Sequence, residues 1–126
     1  MTVGLASATA NSYLNVFRNT AYTAIAAVYV KLHIGDPGAS AASNASAVTT
    51  RNAIVWGAPS GGSMALSSLS GYSMTTSETI SHISLWDASS AGNFLQSAAL
   101  SVSQAVINGS TLNFTTFTLA FTPIAA

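Results

Sequence analysis

The sequence predicts a mainly β fold, an antiparallel β-sandwich or jelly-roll-like domain carrying one N-terminal α-helix. Three observations carry that expectation. Short runs of alternating apolar and polar residues recur from Ala27 onward. Clusters rich in Gly, Pro, Ser and Asn separate them at strand-like spacing. The one stretch with helical spacing lies before residue 20. At 126 residues the chain is long enough to build one hydrophobic core. Residues 1–22 are expected to form the helix and its connector, and residues 23–126 the β-sandwich, within one structural domain.

Each element has its own warrant. Over residues 3–19, Leu5, Ala6, Ala10, Tyr13, Leu14 and Phe17 approximate an amphipathic stripe, with Asn19-Thr20 as the stop. Ala27 to Ile34 sets Val28, Val30, Leu32 and Ile34 against Tyr29, Lys31 and His33, the pattern of a half-buried strand. The sequence Gly35-Asp36-Pro37-Gly38 then supplies a turn, since Pro fixes φ and Gly accepts positive φ. Ala39 to Ala47 reads as a loop. Further strands are expected at Thr49–Trp56, Ser63–Leu69, Ile80–Asp87, Phe94–Leu100, Gln104–Ile107 and Leu112–Thr122. Asn108-Gly109 is the strongest local signal, because Asn-Gly favours the type I′ turn that joins two antiparallel strands.

Composition narrows function sharply. Only 5% of residues are charged, three basic against three acidic, and 49% are hydrophobic; soluble domains average about a quarter charged. Arg18, Lys31 and Arg51 are scattered along the chain and too few for a phosphate-binding face, so no nucleic-acid partner is expected. Zero cysteines exclude disulfides, thiolate nucleophiles and Cys-type zinc sites. The apolar runs Ala21–Ile34 and Leu112–Ala126 are interrupted by Thr23, Lys31, His33, Asn113 and Pro123, so no membrane insertion is expected. The N-terminus lacks the basic region of a cleaved leader.

The ionisable inventory supports no catalytic centre. Ser84, His82 and Asp87 assemble a hydrolase triad on paper, but serine is abundant and no G-x-S-x-G elbow exists. A sheet-face histidine bonded to a hydroxyl is the better reading of His82, which alternation places with Ile80, Ser84 and Trp86. The pairs His33/Asp36 and His82/Asp87 lack metal-ligand spacing, and no cofactor is expected. Asp36 is expected to bond its own turn, Glu78 to be a solvated surface charge, and Arg51 to pair with Asp36 or Asp87. Trp56, Tyr72 and Trp86 are the residues for an aromatic, sugar-binding platform, although single aromatics at strand ends more often pack in a core.

Four segments taken together resemble a known family. They are Val30 to Gly38 (VKLHIGDPG), Thr50 to Gly57 (TRNAIVWG), Ile80 to Trp86 (ISHISLW) and Gly92 to Leu95 (GNFL). In this order they are similar to small virion structural proteins of tailed bacteriophages infecting actinobacteria, variously labelled minor capsid or decoration, minor tail and tail-fibre-like. The resemblance spans nearly the whole chain and implies a structural role without enzymatic activity.

The chain has no collagen-like, coiled-coil or β-helical shaft, which points to a minor capsid or decoration protein stabilising the capsid surface. A tail-tip protein with a receptor- or carbohydrate-binding role is the alternative. The expected partners are further copies of itself, as a homotrimer, and the major capsid protein or, alternatively, tail proteins. Tyr13, Leu14, Phe17 and Arg18 on the N-terminal helix are the candidate docking residues; a helix that merely caps its own sandwich is the competing reading.

Overall fold

A computed structural model describes residues 3–121 of the chain. The elements run β1 (Gly4–Leu5), α1 (Ser7–Val16), β2 (Val28–His33), β3 (Asn52–Trp56), β4 (Ser63–Leu69), β5 (Tyr72–Ser73), β6 (Glu78–Trp86), β7 (Phe94–Val106), β8 (Thr111–Leu112) and β9 (Thr118–Ala120). Seven strands form one curled sheet in the order β1-β7-β6-β2-β3-β4-β9, and β5 with β8 forms a two-stranded ribbon. All the pairings are antiparallel. The mainly β, antiparallel architecture with one short N-terminal helix is the one the alternation and turn chemistry predict.

The alternation in β2 sorts its two faces. Val30 and Leu32 are fully buried and join Ile54, Ile83 and Leu85 in the core. Tyr29, Lys31 and His33 point the other way, opposite Trp86, Ser84 and His82 of β6. The ribbon and its flanks close the core with Tyr72, Met74 and Val106, while Phe114 and Phe117 pack against its edge.

Five expectations need correction. The helix is shorter than residues 3–19, because Gly4 and Leu5 pair with Ser97 and Gln96 at the sheet margin and Ala6 N–H donates to Leu95 O. It also ends earlier than expected, at Val16 with Phe17 as its cap, and a turn leads on to Asn19, which takes φ 61°, the left-handed conformation that asparagine tolerates. In β6 a register shift between Ile80 and His82 breaks the alternation. Ile80 therefore faces the core with Ile83 and Leu85, and does not share the face of His82, Ser84 and Trp86.

The strands expected at Phe94–Leu100 and Gln104–Ile107 are one continuous β7. Its expected break is a wide bulge: Leu100 to Ser103 stand on β7 opposite Ser81 alone on β6. The stretch Leu112–Thr122 does not form one strand within the described residues, and Thr122 lies outside them. Phe114 and Phe117 both pack on the core edge, and their spacing of three is incompatible with strand alternation.

The Asn108-Gly109 turn forms, with Gly109 at φ 87°, but it joins no hairpin. Asn108 lacks the positive φ a type I′ turn requires, and β8 pairs with β5 instead of β7. Tertiary bonds redirect the chain there: Gly109 N–H donates to Met74 O, and Asn108 N–H to Ser77 Oγ.

Candidate functional site: an apolar patch and a polar sheet face

The helix is only half committed to the body of the protein. Thr9 is buried against the sheet, whereas Leu14 is 64% and Phe17 90% exposed. Tyr13 turns inward, 5.3 Å from Tyr22 and edge-on to Phe121 at 6.1 Å between ring centroids. Burial against this cluster, with Tyr22 beside it, raises the Tyr13 phenol above its ordinary value. Arg18 is exposed and bonds Asn15 Oδ1 at 3.2 Å.

The result is one apolar patch built from the C-terminal half of α1, the connector at Tyr22 and the chain after β9 at Phe121. Phe121 belongs to it through tertiary folding, and helical periodicity gave no means of finding it. Of the four predicted docking residues, Leu14 and Phe17 present apolar surface, Arg18 borders them, and Tyr13 anchors the patch to the fold.

The three aromatics weighed as a ligand platform do not share a surface. Tyr72 is 1% exposed and donates its hydroxyl to Val30 O at 2.6 Å; burial raises its phenol strongly. Trp56 packs edge-on to Phe117 at 5.4 Å at the core margin. Trp86 lies on the opposite sheet face, with the Arg51 guanidinium 3.7 Å over its ring.

That opposite face carries a defined proton arrangement. His33 Nδ1 lies 2.9 Å from Ser43 O, which only accepts, so Nδ1 carries the hydrogen. Nε2 is then an acceptor for Ser84 Oγ at 2.8 Å, and Ser84 Oγ in turn accepts from Trp86 Nε1 at 2.8 Å. Burial is the main cause holding the His33 imidazole below its ordinary pKa, which keeps it neutral. His33 and Ser84 are both 0% exposed, so this serine–histidine pair is closed to a substrate and no carboxylate orients the ring.

The triad drawn on paper is not assembled. His82 Nδ1 pairs with Ser81 Oγ at 2.8 Å, the hydroxyl contact expected of a sheet-face histidine. Both Asp87 oxygens are taken by Asn93, through N–H at 2.6 Å and Nδ2 at 2.8 Å. Those bonds hold the Asp87 carboxyl below its ordinary range. Among the described residues no cluster of three or more His, Asp or Glu side chains is placed to hold a metal, and no helix is long and apolar enough to cross a membrane.

Asp36 bonds its own turn, accepting from Gly38 N–H at 2.9 Å. Two expectations fail. Glu78 is no free surface charge: it accepts from Ser46 Oγ and from Ala47 N–H. Arg51 makes no direct ion pair with Asp87, which acts on it only through space; its Nη1 donates to the carbonyls of Ala88 at 3.1 Å and Ala91 at 2.6 Å.

The family model described as "Podophage GP4 fiber I protein gp80" matches residues 4–122. No curated protein matches the chain.

Proposed function

The chain belongs to the podophage GP4 fiber I protein gp80 family, and we propose that it is a non-enzymatic structural component of a phage virion, built into the tail-fibre apparatus. The family description favours a fibre over the capsid-decoration role that compactness suggested. In this reading the protein assembles with itself, as a homotrimer, and docks to a neighbouring tail protein through the α1 patch. A receptor- or carbohydrate-binding role belongs to the same reading.

The observation that carries the docking role is the exposure of Leu14 and Phe17 on the helix whose Tyr13 packs on Tyr22 and Phe121. Exposed apolar side chains gathered in one patch mark interaction sites more than isolated ones do. Because the patch contains one charge, attachment through it is expected to resist salt, which screens exposed charges but not apolar contacts.

Phage carrying the L14D/F17D double variant tests this. The purified variant should fold with an unchanged circular dichroism spectrum, since both side chains are exposed, yet be depleted from particles by quantitative mass spectrometry. Normal incorporation of the variant overturns the docking role. The same measurement on unaltered particles separates locations: a handful of copies fits a fibre, and on the order of hundreds would return the protein to the capsid shell with its many equivalent sites.

A further inference from the structure

Two of the chain's three Lys and Arg residues and both of its histidines stand on the outer face of strands β6 and β2 and at the start of β3. Within this set His33 is buried and fully bonded, Arg51 commits Nη1 to the carbonyls of Ala88 and Ala91, and His82 bonds Ser81 through Nδ1, so that Nε2 donates in the ring form that carries its hydrogen there. The register Val30↔Asn52, continued by one residue, sets Lys31 directly across from Arg51. Lys31 is also opposite Ser84, two residues from His82 on β6.

Like charges opposed on adjacent strands destabilise a sheet. The Lys31 ammonium is correspondingly held below its ordinary pKa, first by burial and then by Arg51. Asp87, the nearby carboxylate, is occupied by Asn93. Neither Lys31 Nζ nor His82 Nε2 has a hydrogen-bond partner among the described residues. No buried side-chain nitrogen or oxygen there is left unsatisfied, so both atoms reach solvent.

We infer that Lys31, Arg51 and His82 form a recognition site for an oxyanion, a phosphate or carboxylate group carried on a saccharide. The donors lie in a diagonal across three neighbouring strands, within the reach of diagonal cross-strand side chains, and suit an extended acidic chain better than a compact ion. The arrangement concentrates cations in a protein that has almost none, and the one carboxylate that acts on it, Asp87, reaches Arg51 only through space while its oxygens bond Asn93. An anion would relieve the repulsion that the sheet otherwise bears. The saccharide carrier rests on the receptor-binding part of the proposed function, whereas the oxyanion site rests on the three side chains alone; neither draws on the α1 patch, so either can fail without the other.

The test is an NMR titration of the full chain at low ionic strength, with inorganic phosphate, with acidic oligosaccharides bearing phosphate or carboxylate groups, and with a neutral oligosaccharide. Saturable shifts centred on β2 and β6 are expected for the acidic probes and none for the neutral one. Tighter binding of the acidic oligosaccharide than of phosphate assigns the site to a saccharide-borne group; equal binding by phosphate overturns that assignment.

The Lys31→Met variant should weaken binding by roughly tenfold, the scale of one charge-assisted contact, while its melting temperature stays level or rises as the like-charge contact is removed. His82→Gln should give an intermediate loss. Absence of saturable shifts, or Lys31→Met binding as the native protein does while melting lower, overturns the inference and leaves the cluster a packing feature.

Discussion

At the scale of single residues, His33 shows how burial and hydrogen bonding fix chemistry. Its ring is closed between Ser43 O and Ser84 Oγ, and the proton positions follow from which partner can only accept. The folded imidazole binds a proton less readily than the unfolded one, whose pKa is 6.5. Below pH 6.5 the unfolded chain therefore holds more protons, and stability falls as pH drops toward the folded value.

Thermal unfolding followed from pH 7.5 to 5 should show this decline. His33→Gln should cost about 1–3 kcal/mol at neutral pH, because it disturbs a buried, fully bonded group, and should remove that decline. A decline of the same size in the variant would mean another group is responsible. Asp87 acts in a lower window, since its carboxyl is held below 3.8 and its contribution is lost only as pH falls through that range.

At the scale of elements, turns and bulges decide where the strands go. The 87–93 turn places the carbonyls of Ala88 and Ala91 on Arg51, and it closes on Gly92 at φ 72°. A Cβ at that position would stand 2.5 Å from Asp87 Oδ1 and 2.6 Å from Ala88 Cβ. Gly92→Ala is therefore expected to lose roughly 1–3 kcal/mol, the usual cost of a strained backbone position, read as a lower urea midpoint with an unchanged slope. An unchanged midpoint would show that the turn relaxes freely.

The bulge at Leu100–Ser103 is the element-scale feature that alternation alone does not disclose. The local pattern marks a break there, and only the pairing with β6 shows that the strand continues through it.

At the scale of the whole molecule, charge is distributed unevenly. From Ala88 to Ala126 the sequence has no Asp, Glu, Lys, Arg or His. Most of β7 beyond Gln96 and Ser97 has no second strand beside it among the described residues. An uncharged free edge lacks the lysines and prolines that ordinarily guard against association. Val102 and Ile107, 67% and 70% exposed, lie on or beside this edge. The V102K/I107K pair should change stability by less than about 0.5 kcal/mol, as surface substitutions do, while raising the concentration at which the protein becomes turbid at neutral pH. Unchanged turbidity would show that this edge plays no part in association.

The sequence alone determined the β class, β4 to its residue, the two faces of β2, the Asp36 turn and the hydroxyl-bonded role of His82. Those features depend on neighbours in the chain, and period-two alternation or turn chemistry encodes them locally. Tertiary structure alone decided that Phe121 joins the helix patch, that Ile80 turns to the core, that β8 leaves β7 for β5, and that Lys31 faces Arg51 across the sheet. Each of these depends on strand register and on contacts between residues far apart in sequence, where a single bulge changes which side chains meet.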